Sequence, residues 1–221
     1  MTDNDKDITA RLAALDTPAV SDALDRFELK GTVIGLPQLS TDRRIAGRVH
    51  TVKLGTGAAL QGPARHLCTA SIEASEPGDI LVIENRSGVN AAGWGGILSN
   101  AAKVAGIAGV ICDGPVRDVV ESRDLEFPVF ARSATPTTAR GRIKEEAFNE
   151  PVEIGDVTVR PGDYVIADAS GVVFVARDRA GDIIKTAEKI AAREATMTKD
   201  VLAGKPVSQV MGADYEHMLD D

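Results

Sequence analysis

Aromatic residues are scarce. Phe, Trp and Tyr together make 4% of the chain, with a single Trp. So few rings exclude the stacking platforms with which proteins grip single-stranded nucleic acid, and the core must come mainly from Val, Ile, Leu and Ala. Positive charge is also short. Lys and Arg number 25 against 33 Asp and Glu, a formal net charge of −8, which is a poor footprint for a phosphate backbone. The only cysteines are Cys68 and Cys112, and the only histidines His50, His66 and His217. The cysteines fit no metal-ligand spacing and no His–Cys cluster accompanies them. Buried, reduced thiols are expected, which suits the cytoplasm. The scattered histidines form no triad with a serine. No apolar run approaches the length of a membrane span, and the polar start MTDNDKDITARL is not a signal peptide. The expectation is a cytoplasmic protein that binds neither nucleic acid nor membrane.

What is present is ordinary for a globular chain: 221 residues, 43% apolar and 26% charged, with no linker, so one domain over 1–221 is expected. Residues 1–7 read as frayed. Thr17 reads as an N-cap with Pro18 at the first helical position; that helix carries Val20, Leu24 and Phe27 and stops at Gly31. Ile45 to Leu54 alternates as a strand. Leu67 to Ala74 reads as a short helix, and Ile80 to Glu84 is the apolar run of a strand covered on both faces. Ile97 to Gly106 reads as a helix and Gly109 to Cys112 as a buried strand, which completes a βαβ unit with parallel strands. Phe127 to Ala131 is another strand, and Thr135 to Arg142 a polar segment. From Val152 onward, short alternating strands split by Gly155-Asp156, Pro161-Gly162-Asp163 and Ala169-Ser170-Gly171 are hairpin signals. Arg177 to Gly204 is the longest helix, capped by Asp178, with Ile184, Ala187, Ala191, Ala195, Thr198 and Leu202 on one face, Glu194 on its flank and Gly204-Lys205-Pro206 as its stop.

The chemistry concentrates between Asn85 and Asp118. Gly93-Trp94-Gly95-Gly96 enters a helix, so the amides of Gly96, Ile97 and Leu98 face outward at the positive end of the helix dipole, a geometry that holds carboxylates and phosphates. The same glycines could instead serve tight helix–sheet packing. They lack the spacing of a dinucleotide fingerprint, and a lone Trp there reads as a packing plug. In a parallel pair, the loop and the Arg117-Asp118 dipeptide follow strand ends on one edge of the sheet, where α/β proteins bind ligands. Arg117 and Asp118 could be a surface ion pair after an Asp113-Gly114-Pro115 turn. Alternatively they could join the amides in holding a small 2-oxo acid, with Asp118 on a divalent cation. Arg132, Arg140 and Arg142 could meet a second carboxylate or be plain surface charge. Lys53 and Lys103 could form a Schiff base or simply face solvent.

The run Gly106-Ile-Ala-Gly109-Val-Ile-Cys-Asp113-Gly114-Pro-Val-Arg117-Asp118 resembles the signature of the RraA-like / 4-hydroxy-4-methyl-2-oxoglutarate aldolase family. Thr17-Pro18-Ala-Val-Ser21-Asp22-Ala-Leu24, Glu76-Pro77-Gly78-Asp79-Ile-Leu-Val, Trp94-Gly95-Gly96-Ile-Leu98 and the 152–176 strands resemble further family segments, in the same order. The resemblance implies an α/β, swivelling-domain-like fold of α/β/β layers with a long C-terminal helix. It implies assembly as a homotrimer or homohexamer with sites between subunits. It implies a metal-dependent (Mg²⁺, Mn²⁺ or another divalent cation) pyruvate aldolase, with possible oxaloacetate decarboxylase activity. Asp118 would match the metal ligand, Arg117 the arginine at the keto oxygen, and the amides of Gly95, Gly96, Ile97 and Leu98 the pyruvate-carboxylate site. Glu194 would match an acid contributed by the C-terminal helix of a neighbouring subunit. The family's other branch, a non-enzymatic regulator that inhibits a ribonuclease, lacks the metal-binding Asp. One departure stands out: the characterised aldolases carry an acidic residue at the position of Gly96.

Overall fold

The computed structural model describes residues 2–59 and 65–212; His217 and the end of the glycine-rich stretch 55–62 lie outside them. In chain order the elements are α1 (Asp3–Ala13), α2 (Thr17–Arg26), β1 (Thr32–Val33), β2 (Ile45–Gly55), α3 (Thr69–Ala74), β3 (Ile80–Glu84), α4 (Gly96–Val104), β4 (Gly109–Val116), α5 (Val119–Asp124), β5 (Val129–Ala134), β6 (Lys144–Phe148), β7 (Val152–Ile154), β8 (Val157–Val159), β9 (Tyr164–Asp168), β10 (Gly171–Val175), α6 (Ala180–Leu202) and α7 (Val207–Val210).

One sheet runs β1-β10-β9-β2-β3-β4-β5, with β6 also paired to β2. Strands β2 to β5 are mutually parallel, while β9, β10 and β1 continue the sheet antiparallel. Because strand side chains alternate between faces, the sheet feeds two cores. Leu81, Ile83, Val110 and Cys112 pack under α3 and α4, and Ile80, Val82 and Ile111 pack against the β7–β8 hairpin. A third core joins α1, α2 and α6 to Tyr164, Ile166, Val173 and Val175 of β9 and β10. The fold is the expected α/β architecture with a long C-terminal helix.

Several boundaries differ from expectation, each for a local reason. Residues 1–7 are not frayed: α1 begins at Asp3, because Thr2 and Asp5 form a reciprocal capping box. The cap of α2 is Asp16, whose side chain accepts from the Ala19 amide, and the helix ends at Arg26 rather than at Gly31. Asp113-Gly114-Pro115 is not a turn. It lies within β4, where a bulge absorbs the irregularity. Asp113 is buried there, accepting from Arg132 Nε at 2.6 Å and from the Gly155 amide at 2.7 Å, which ties β4 to the β7–β8 hairpin. Asp178 does not cap α6; it sits in a 3₁₀ turn, Arg177–Arg179, ahead of the helix. The α6 stripe is buried only through Ile190; Ala195, Thr198 and Leu202 are exposed.

Candidate active site

The register Ile80↔Gly109 through Glu84↔Asp113 places the carboxyl ends of β3 and β4 on one edge. Beyond Asp113, β4 continues to Val116, and this extension organises the glycine loop. The Gly93 amide donates to Pro115 O at 2.9 Å, and the Arg117 amide to Trp94 O at 3.0 Å. The loop is thus stitched, residue against residue, to the chain that carries Arg117 and Asp118. Trp94 is a plug, as expected. It is buried, stacks on Phe127 at 6.3 Å between ring centroids, and donates from Nε1 to Ser99 Oγ at 2.8 Å. Ser99 Oγ in turn lies 2.9 Å from Ser122 Oγ, which locks α4 to α5.

Asp118 adopts a left-handed backbone conformation (φ 57°, ψ 37°) immediately before α5. Asp tolerates this region better than most residues, at a cost of about 1–3 kcal/mol. The conformation turns its carboxylate back to the start of α4. There Oδ2 accepts from the Gly96 amide at 2.9 Å and from Arg117 Nε at 3.1 Å. Partial burial pushes this carboxyl up, but the Gly96 and Arg117 hydrogen bonds and the Arg117 charge outweigh it and hold it below the usual carboxylate range. Asp118 is therefore ionised at neutral pH. Among the described residues, Oδ1 has no hydrogen-bond partner.

The anion seat differs in one respect from the expected set of amides. Gly96 N–H is committed to Asp118, while the Ile97 and Leu98 amides have no partner among the described residues. The N-cap of α4 is Gly95, which has no side chain to cap the helix, so Asp118 supplies the carboxylate at its first amide. Gly95, Gly96, Ile97, Leu98, Arg117 and Asp118 all line one cavity of about 320 Å³, within the range of small-molecule sites. His66, Thr138 and Arg140 line it as well. Arg140 lies in the polar segment between β5 and β6, and nothing in its sequence neighbourhood marked it out from Arg132 and Arg142. Those two are occupied elsewhere, Arg132 by Asp113 and Ile34 O and Arg142 by Thr138 O.

Other candidates fall away from the cavity. Lys53 pairs with Glu84 at 3.6 Å, and Lys103 donates to Leu125 O. His50 Nε2 lies 3.0 Å from the buried Asp79. Cys68 and Cys112 are free and buried, and burial pushes both thiols up. Glu194 does not line the cavity of its own chain. It lies near Asp22 and Asp16, and burial together with those two charges raises its carboxyl. Two residues beside the Gly96 backbone went unread in sequence. Glu121 and Asn100 bond to each other across α5 and α4, Asn100 Nδ2 donating to Glu121 Oε1 at 2.8 Å and to Gly96 O at 3.0 Å. Glu121 falls three residues after Asp118, in the first turn of α5.

The sheet, the stitched glycine loop and the Arg-Asp dipeptide at its edge fit one family. The chain belongs to the RraA-like family: the family profile described as Aldolase/RraA matches residues 17–174. A Halalkalibacterium halodurans protein provisionally named 4-hydroxy-4-methyl-2-oxoglutarate aldolase is 31% identical over 201 residues, covering 89% of this chain and 91% of the relative. The Thermus thermophilus protein named 4-hydroxy-4-methyl-2-oxoglutarate aldolase is 30% identical over 138 residues, covering 62% of this chain and 79% of the relative. Among solved structures, an uncharacterised protein from Pseudomonas syringae superposes with a TM-score of 0.84 at 25% identity, covering 94% of this chain and 98% of the other. No helix among the described residues is long and apolar enough to cross a membrane.

Proposed function

We propose that the chain is a carbon–carbon lyase that cleaves a 4-hydroxy-2-oxo acid to pyruvate and a second carbonyl compound, and that oxaloacetate decarboxylation can use the same enolate. The observation that carries this reading is the convergence, on one cavity wall, of the free Ile97 and Leu98 amides, the Arg117 guanidinium and the ionised Asp118 carboxylate. The amides at the α4 N-terminus would hold the substrate's C1 carboxylate. Arg117 would donate to the C2 oxygen, where negative charge grows in the transition state. As the C3–C4 bond breaks, its electron pair moves into C2–C3 and onto that oxygen. The C4 hydroxyl gives up its proton and becomes the second product's carbonyl. A proton added at C3 then completes pyruvate.

A divalent cation, Mg²⁺ or Mn²⁺, fits the donors present. Asp118 is ionised and offers an unbonded oxygen. Among the described residues no three His, Cys, Asp or Glu side chains gather as a metal cage. That suits an ion which keeps several waters and takes one or two carboxylates plus substrate oxygens. When bound, such an ion supplies Lewis-acid polarisation of the 2-oxo group.

Glu194 enters this reading from a second copy of the chain, in a homotrimer or homohexamer. Its carboxyl, raised by burial and by the Asp22 and Asp16 charges, suits a group that takes and returns a proton. The end of α6 exposes Val201 and Leu202, and Met211 after α7 joins them around Glu194, an apolar face suited to a neighbouring subunit. Arg140, on the same cavity as Arg117, would meet a distal carboxylate, which favours a dicarboxylic 2-oxo acid.

The test is a lactate-dehydrogenase-coupled screen of 4-hydroxy-2-oxo acids and oxaloacetate. Pyruvate release that EDTA abolishes and added Mg²⁺ or Mn²⁺ restores is expected. No turnover of any 2-oxo acid, alongside inhibition of a ribonuclease, would overturn the reading in favour of the regulatory branch.

A further inference from the structure

The two glycines at the start of α4 are each pressed by a carboxylate. A β-carbon built on Gly95 would fall 2.9 Å from Asp118 Oδ2, and one built on Gly96 would overlap the Glu121 carboxylate outright. Glu121 therefore occupies the volume that any larger residue at 96 would fill. It is not loose there. Asn100, one turn along α4, donates through Nδ2 to Glu121 Oε1 and to Gly96 O, so the same amide holds the carboxylate and the backbone beside it. The buried Trp94–Ser99–Ser122 chain fixes α5, which carries Glu121, against α4. Two carboxylates thus sit on either side of one backbone residue, Asp118 at the Gly96 amide and Glu121 over its α-carbon.

We infer that Glu121 is a positioning acid of this site. Gly96 lacks a side chain so that the Glu121 carboxylate can lie over its α-carbon while Asp118 holds its amide, and the second negative charge, acting through water across that one residue, tightens the hold on a divalent cation. The inference rests on the proposed reaction only for the identity of the cation site. An exposed carboxylate several ångströms from a doubly charged ion acts through high dielectric, and Coulomb's law there gives an effect of roughly tenfold in affinity.

The experiment is Mn²⁺ binding to the full-length protein without substrate, followed by electron paramagnetic resonance or calorimetry, with pyruvate release measured in parallel. Glu121→Gln keeps an acceptor for Asn100 and removes the charge. It should weaken Mn²⁺ roughly tenfold and raise the metal concentration needed for half-maximal pyruvate release. Gly96→Ala should weaken Mn²⁺ similarly by displacing Glu121, and the double variant should be no worse than either single one, since both act through one carboxylate. Gly96→Asp combined with Glu121→Gly should recover most of the lost affinity. Equal Mn²⁺ affinity in wild type and Glu121→Gln overturns the inference and leaves the proposed reaction standing. A wild-type protein that binds no Mn²⁺ and releases no pyruvate overturns both.

Discussion

Gly95→Ala separates the two uses the glycine loop could have, as an anion seat or as a packing device. The backbone at Gly95 is extended (φ −162°, ψ −177°), which alanine adopts without strain. The new methyl group would meet Asp118 Oδ2 at 2.9 Å and Arg117 Cγ at 3.2 Å. The first contact is too close to persist, and the carboxylate is the part free to move. To make room, Asp118 must leave the Gly96 amide and the Arg117 Nε. A hydrogen bond to a charged group contributes about 1.5–3 kcal/mol, which corresponds to roughly a 10- to 150-fold loss if that energy positions the carboxylate for function. The helix itself keeps its anchors, because Ser99 N still donates to Gly95 O at 3.0 Å and Trp94 still bonds Ser99.

Stability should therefore change little. Asp118 is partly exposed, so water can replace the lost partner, and a cost of about 1 kcal/mol shifts the melting temperature by about 2–4 °C in a chain of this size. Coupled pyruvate assays at several Mg²⁺ concentrations, with melting curves on the same preparations, measure both effects. Wild-type turnover at an unchanged melting temperature would refute the role given to the Asp118–Gly96 contact. A drop of more than about 10 °C with undiminished activity per folded molecule would show that Gly95 serves packing instead.

Four further outcomes are expected. Arg117→Ala should cost on the order of 10²- to 10³-fold in kcat, the usual loss for one donor to a developing oxyanion, and Arg117→Lys should recover only part of it; steady-state kinetics decides. Arg140→Ala should raise KM for dicarboxylic 2-oxo acids roughly tenfold or more while leaving monocarboxylic ones unchanged, which a matched substrate pair would show. Mixing inactive Asp118→Asn with inactive Glu194→Gln, after subunit exchange, should restore activity if the site is shared between copies, whereas silence from co-assembled mixtures would place Glu194 outside it. Acid stability should follow Asp5. Burial raises its carboxyl, but hydrogen bonds from Tyr164 and Thr2 and the Arg177 charge outweigh that and hold it below its ordinary value. A depressed folded-state value gives stability that is complete above the ordinary carboxylate range and lost as pH falls toward the folded value. Melting temperature should thus decline below about pH 4, and Asp5→Asn should flatten that decline.

The parallel core of the fold was legible because its signals are local. Ile80 to Glu84 is an unbroken apolar run, and all five residues are buried in β3, as two-sided cover requires. Two hairpins were legible from Gly155-Asp156 and Ala169-Ser170-Gly171, which separate the antiparallel pairs β7–β8 and β9–β10, whereas Pro161-Gly162-Asp163 joins β8 to β9, which lie in different sheets. What escaped depended on partners distant in sequence. Asp113-Gly114-Pro115 has the composition of a turn, yet Arg132 and the Gly155 amide hold Asp113 inside a strand. The stripe on α6 continues in sequence past Ile190, but α1, α2 and the sheet cover only its first half. Periodicity shows which face is apolar and not how far a neighbour reaches.

At the site, residue types were readable and their assignments to one another were not. Arg117 and Asp118 drew notice as a charged pair after a strand. Only the extension of β4, with Arg117 N bonding Trp94 O, explains why that pair meets the glycine loop. Three amides were expected to face a ligand, but one of them holds Asp118 in place. The apparent weakness at Gly96 also changes meaning. In sequence it is a missing side chain; in space it is room filled by Glu121, which Asn100 holds there. A glycine next to a site can thus serve a neighbour's side chain and need serve no backbone torsion: Gly96 opens α4, where its torsions are helical, so freedom of φ gives no reason for it. Close approach by a carboxylate does, and it makes positions 96 and 121 a pair whose substitutions must be read together.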